Sequence, residues 1–233
     1  MRVAAVSDVH APQYLELFVR ALDVMPDPDL LLLAGDMVLK GDHSQLGKVV
    51  EAIRAEYDGP IFAVFGNEEY DQYVQEFLEY EEIRWLQDES VVVNIGGLDI
   101  GIVGSRGSLD RPTFWQRTHV PGINTVYRER IHKIDRLLGA LRSKIKIVIT
   151  HYSPTYATLV GEREKSWSEM GSKKLERVIK QRQPDLWVHG HIHNGKKLEV
   201  QIGRTLVANV SLPARGGIFT VELPRKVGLE AFV

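Results

Sequence analysis

The chain has 233 residues, of which 44% are hydrophobic and 26% charged, proportions that fit one soluble globular domain over residues 1–233 with a sizeable core. A net charge of −2 offers no bulk attraction to duplex nucleic acid or to an anionic membrane, so neither is expected as a partner. There is no cysteine, which excludes disulfides and thiolate metal sites and leaves nitrogen and oxygen as the available metal donors.

Short apolar runs bounded by Gly, Asp or Pro alternate with amphipathic stretches. Residues 3–6 read as a buried strand, and residues 15–25 carry Leu15, Phe18, Val19 and Leu22 at helical spacing. Residues 30–34 form a second buried strand, and 44–57 a second helix with Leu46, Val49, Val50 and Ile53 on one face. A third strand at 61–65 and a third helix at 70–80 follow. This βαβαβ opening predicts a largely parallel sheet with helices on its faces. Residues 91–95 and 98–103 predict a hairpin about Gly96-Gly97. A long helix is expected at 125–142, with Val126, Ile131, Ile134, Leu138 and Leu141 turned inward. Then come a buried strand at 145–149, a helix at 172–182 begun by Gly171-Ser172, and a strand at 186–189. Residues 198–202 and 205–210 predict a hairpin about Gly203-Arg204, and 218–223 a closing strand. Segments 105–124 and 152–171 are too polar and irregular for core, and read either as surface excursions or as functional loops. No run approaches the ~20 apolar residues that cross a bilayer, and MRVAAVSDVH lacks a signal-peptide core. A cytoplasmic location is the expectation.

Metal-competent residues follow the predicted strands one after another. Asp8 and His10 follow the first, Asp36 the second and Asn67 the third. His151 follows the strand at 145–149, and His191 and His193 follow the strand at 186–189. Each fragment alone is more often a turn. Together they are seven hard or borderline donors at the carboxyl ends of strands, where open α/β sheets build their sites.

The order Asp-x-His, Gly-Asp, Gly-Asn-x-Glu, His, Gly-His-x-His, from Asp8 to His193, resembles the calcineurin-like metallophosphoesterase family. The resemblance implies an α/β fold in which helices flank a two-sheet β-sandwich (αββα), and two divalent ions between the sheet ends. It implies that Asp8, His10 and His193 hold one ion, that Asn67, His151 and His191 hold the other, and that Asp36 bridges them. The implied chemistry is in-line attack on phosphorus by a metal-bridging hydroxide, with a small phosphate ester as substrate. Mn, Fe, Zn, Ni or Co suits the donors. A phosphomonoesterase, or a non-catalytic phosphoesterase-like scaffold, is the alternative. Physiological substrate, metal identity and a homo-oligomer stay open.

One position departs from the family pattern. Where the family carries histidine after Gly-Asn, this chain has Glu68. Two divalent ions, two aspartates and a hydroxide leave a small positive sum, which an ionised Glu68 cancels. A phosphomonoester dianion is then disfavoured more than a diester monoanion, so phosphodiesters are the expected substrates. Glu68 is accordingly read as facing the scissile phosphate, with Asp36 and Asn67 as its catalytic companions. Glu69 is read as orienting a ligand histidine or capping the next helix. Arg106 is a candidate for the anionic substrate. Phe114 and Trp115 are read first as anchors of their own loop, and second as a stacking surface for a leaving group. His119 is a weaker candidate to replace the missing histidine.

Overall fold

The apolar runs pair into two sheets. The computed structural model describes residues 1–225. In the first sheet, β1 (Arg2–Val6), β2 (Leu30–Leu33), β3 (Ile61–Ala63) and β4 (Ile83–Trp85) run parallel, and β11 (Phe219–Glu222) lies antiparallel on the free side of β1. The second sheet has the order β5 (Glu89–Ile95), β6 (Leu98–Ser105), β7 (Ile145–Thr150), β8 (Leu186–His189), β10 (Thr205–Asn209), β9 (Glu199–Ile202). Its four inner strands are parallel, and hairpins supply the two antiparallel edges.

Side chains alternate across each strand, so every central strand feeds two cores. Val3, Ala5, Leu30 and Leu32 meet Ile100, Ile102, Ile147 and Val188 between the sheets. Ala4, Val6, Leu31 and Leu33 point the other way, onto Phe18 and Leu22 of α1 (Leu15–Asp23) and Leu46, Val49 and Ile53 of α2 (Leu46–Glu56). Val103, Val148, Trp187 and Val207 cover the outer face of the second sheet together with α5 (Ile123–Ala140) and α6 (Lys173–Arg182). The result is the four-layer αββα sandwich. Each fully buried Leu or Ile contributes roughly 1.5–3 kcal/mol, enough in sum to hold a rim of strained loops.

Four local expectations need correction. The helix at 70–80 is only a single 3-10 turn (Asp71–Tyr73) followed by α3 (Val74–Leu78). No side chain caps either piece, so nothing in the sequence extends them. β4 is an addition, because three residues with one exposed arginine between two buried apolars are too short for an alternation signal. In α5 the buried stripe runs Tyr127, Ile134, Leu138 with Ile131 partly covered, and Val126 is exposed. A 3.6-residue period starting from Ile134 selects Tyr127 over its neighbour. Segment 105–124 holds α4 (Phe114–His119), set by a capping box in which Thr113 Oγ1 accepts from Gln116 N and Gln116 Oε1 accepts from Thr113 N. No helix among the described residues is long and apolar enough to cross a membrane.

Candidate metal centre

The loops leaving β1, β2, β3, β7 and β8 are stitched together at one rim. Asp8 N donates to Gly35 O and His10 N to Asp36 O, while Gly190 N donates to His151 O. The second sheet reaches the first through His191 N, which donates to both Asp8 carboxylate oxygens, and through His151 Nδ1, 3.0 Å from Ala34 O. Four expected ligands have left-handed backbones: Asp8 (φ 58°), His10 (43°), Asp36 (54°) and His191 (70°). Non-glycine residues held there cost of order 1–3 kcal/mol each and gather at functional sites. Two glycines make the approach physically possible. A Cβ on Gly66 would fall onto the Asp36 carboxylate, and one on Gly190 would stand 2.7 Å from Asp8 Oδ2.

Two donor groups result. In the first, one donor atom each from Asp8, His10 and His193 lie within 4.8 Å of one another; in the second, so do those of Asp36, His151 and His191. Asn67 joins the second group, with Oδ1 3.0 Å from His151 Nε2. Asp36 Oδ2 lies between the groups, 3.4 Å from His151 Nε2 and 3.9 Å from His10 Nε2. All seven expected ligand residues are thus brought to one place.

The donor chemistry fits cations. His151 Nδ1 donates to Ala34 O, so its Nε2 presents a lone pair to the carbonyl oxygen of Asn67. Asn67 Nδ2 is turned to Glu68 Oε1, which fixes that amide orientation. His10 Nε2 and His193 Nε2 stand 3.4 Å apart beside Asp8 Oδ1. The facing lone pairs of His151 Nε2 and Asn67 Oδ1 gain from a shared positive ion. Burial pushes His151 down to about 4, and burial together with the neighbouring His151 takes His191 to about 3. Both rings are therefore neutral donors at pH 7. Burial pushes Asp36 well above the usual carboxylate range, reinforced by the charges of Glu69, Asp8 and Glu68. Asp8 moves the opposite way. Burial would raise it, but the His193 hydrogen bond, the nearby His151 and the Ser7 hydroxyl outweigh burial and hold it low.

The remaining candidates separate. Glu68 is half-buried at the rim, but its carboxylate turns to the Lys40 N–H, 2.6 Å away, and to Asn67 Nδ2. Its charge bears on His10 and His193. Arg106 is held on Asp71 Oδ1 at 2.9 Å and on the Glu69 carbonyl, so its guanidinium braces the turn after β3. Phe114 and Trp115 are 72% and 61% exposed, which corrects the reading of that loop as anchored by its own aromatics. His119 stacks on Trp115 and hydrogen-bonds within α4. Gln116 reaches the hydroxyl of Tyr152, whose ring is tilted against His151 and stands edge-on to His191.

Three residues support the ligands from behind. Ser7 Oγ donates to Asp8 Oδ2 at 2.6 Å. Buried His189 sits against Thr158 Oγ1 and the Gly190 carbonyl, directly behind the His191 loop. Glu69 neither orients a histidine nor caps a helix: it is 1% exposed and its carboxylate accepts only backbone N–H groups. A carboxylate in the turn that leaves a fully apolar strand is the available signal, since such a group, once buried, must find several donors.

The calcineurin-like phosphoesterase profile matches residues 1–195. The chain belongs to that family. Membership supports a phosphoester hydrolase with a dinuclear metal centre, and the two donor groups are present here. Among solved structures, the fold is similar to phosphopantetheinyl hydrolase from Mycobacterium tuberculosis (TM-score 0.72, 14% identity, 96% of each chain covered). It is also similar to the protein TT1561 of Thermus thermophilus (TM-score 0.57, 17% identity, 94% of this chain and 97% of that one). A 5'-nucleotidase precursor from the same organism matches at TM-score 0.50 and 17% identity, over 90% of this chain and 48% of the nucleotidase. At these identities the likeness shows the fold alone. No curated protein sequence matches significantly.

Proposed function

We propose that the protein is a cytoplasmic hydrolase of small phosphate esters that uses two divalent ions and favours phosphodiesters over phosphomonoesters. The observation that carries this is the pair of donor groups, with Asp36 Oδ2 within 4 Å of a histidine of each. Asp8, His10 and His193 would hold one ion, Asn67, His151 and His191 the other, and Asp36 both. Mn, Fe, Zn, Ni or Co suits this nitrogen and oxygen set. When bound, the ions supply charge neutralisation for the phosphoryl oxygens and acidify a water for in-line attack.

The chain's own residues do the rest. Neutral His151 and His191 add ligation without adding charge, which keeps the centre attractive to phosphate. Glu68 sets the preference between esters. Its carboxylate is fixed as an acceptor of the Lys40 and Asn67 N–H groups, so it serves as a standing negative charge rather than a proton donor. Repulsion grows with substrate charge, which favours the diester monoanion over the monoester dianion. Arg106, already engaged by Asp71, would add positive potential at the rim rather than a direct fork on the substrate.

The test is hydrolysis of an aryl phosphodiester and its monoester by metal-free protein supplied with Mn, Ni, Zn or Mg in turn. Metal-dependent activity favouring the diester is expected. A monoester preference keeps the hydrolase and removes the role given to Glu68. Metal binding without any hydrolysis favours the scaffold.

A further inference from the structure

The turn after β3 does more than deliver Asn67. Glu69 Oε2 accepts the N–H groups of Asp36 at 2.8 Å and Gly66 at 2.6 Å. Its Oε1 accepts those of Met37 at 2.6 Å and Val38 at 3.3 Å. Beside it, Glu68 N donates to Asp36 Oδ1 at 2.7 Å, Glu68 Oε2 accepts from Lys40 N, and Glu68 O accepts from Gly41 N. From Asp36 to Gly41, Leu39 alone sends its N–H elsewhere, to Ala11 O.

Successive N–H groups converging from 36 to 38 make a concavity that binds anions, and here a side chain of the same protein fills it. Asp36 is held left-handed at φ 54° in that bend. We infer that Glu69 is a positioning residue for the metal centre: its two oxygens, each accepting two N–H groups, lock the Asp36 loop onto the Asn67 turn. The inference rests on the dinuclear-metal reading for its consequence, and on hydrogen-bond geometry for its substance. The Asp36, Asn67, His151, His191 group spans both clamped segments. The Asp8, His10, His193 group uses neither segment for its side chains, so the effect of loosening the clamp is unequal between the groups.

Donor and acceptor chemistry separates a clamp from a space-filler. Glutamine matches glutamate in size but offers one acceptor oxygen and an NH2 that would face two backbone N–H groups. Aspartate is smaller but keeps both acceptors. A clamp therefore ranks Glu69→Asp above Glu69→Gln, and a space-filler ranks them the other way.

The first readout needs no metal. Amide hydrogen exchange of Asp36, Met37, Val38 and Gly66 in metal-free protein is expected to accelerate in Glu69→Gln while the β1 and β7 amides keep their protection. Calorimetric titration with Mn²⁺ then reads the consequence. Wild type takes two ions, and Glu69→Gln loses about 10–100-fold in affinity for one of them, the size expected when an outer-shell partner is removed. Should Glu69→Gln fail to fold, Glu69→Asp against Glu69→Ala decides, with Asp retaining the second ion and Ala losing it. Unchanged amide protection in Glu69→Gln, or a Glu69→Asp protein that is looser than Glu69→Gln, overturns the clamp. Wild type that binds fewer than two Mn²⁺ overturns the dinuclear reading instead, and the metal-free exchange still judges Glu69 separately.

Discussion

Asp8 and Asp36 are both buried carboxylates at strand ends, both left-handed, and both central to a donor group, yet their surroundings push them apart. Asp8 is met by the Ser7 hydroxyl, the His191 N–H and His193, and is held ionised. Asp36 is met by one amide and by three other carboxylates, and burial with those charges pushes it up. One aspartate is satisfied by the protein. The other is left with a charge the fold does not balance, between two sets of nitrogen and oxygen donors. That asymmetry teaches where the fold leaves room for positive charge.

The sharpest way to break the comparison is to neutralise each aspartate in turn. Asp36→Asn should lower metal-dependent hydrolysis by at least about a hundredfold, the scale of losing one electrostatic partner in a catalytic centre. In metal-free protein the same change should raise stability, by roughly 0.5–2 kcal/mol at pH 7, because it deletes a charge the fold opposes. The sign follows from Asp36 itself: a carboxyl whose pKa is raised on folding favours folding fully below its ordinary value of 3.8, and that contribution is lost as pH rises through the raised value. Thermal melts of the two metal-free proteins read it, and a lower melting point for Asp36→Asn would sink the comparison. Asp8→Asn should go the other way, losing about 1–3 kcal/mol, since its new NH2 faces the donors Ser7 Oγ and His191 N.

A third prediction uses the buried imidazole behind the His191 loop. Burial pushes His189 from 6.5 down to about 4. Between those values the unfolded chain takes up a proton that the folded chain refuses. Stability is therefore complete above pH 6.5 and falls toward pH 4, by up to ~1.4 kcal/mol per pH unit from this one group. Melting of metal-free protein across that range measures the slope, and His189→Gln should reduce it by this group's share, leaving the shares of His151 and His191. The smallest effect is expected at Glu68. Glu68→Gln should raise monoester relative to diester hydrolysis by a few-fold, as removal of one screened rim charge predicts; an unchanged ratio would remove Glu68 from substrate selection.

Much of this was legible in the sequence, for physical reasons that differ by residue. The seven donor positions stood out because each follows an apolar run, and strand ends are where a parallel sheet presents its loops. The layers were legible because buried central strands read as continuous apolar runs. β4 was not, since three residues carry too little pattern. The α5 stripe was misplaced at Val126 because two adjacent apolar residues compete for one face, and packing decides for Tyr127. Glu69 was visible as a carboxylate, but its partners are backbone amides brought from 36–38 by folding, and amides have no letter in a sequence. Arg106 illustrates the same limit, because its Asp71 partner arrives from another loop.

The rim is also a seam. Asp8, Asp36 and Asn67 hang from the first sheet, and His151, His191 and His193 from the second, so an ion shared among them fastens one sheet to the other. The apolar inter-sheet core resists separation, and metal ligation would add directional bonds to the cross-sheet hydrogen bonds of His191 N and His151 Nδ1. Any ion taken up by the folded chain and not by the unfolded one adds about 2.7 kcal/mol when present at a hundred times its dissociation constant. The centre that would break phosphate esters is therefore also a cross-sheet rivet. Chelation should lower the temperature at which the sandwich comes apart.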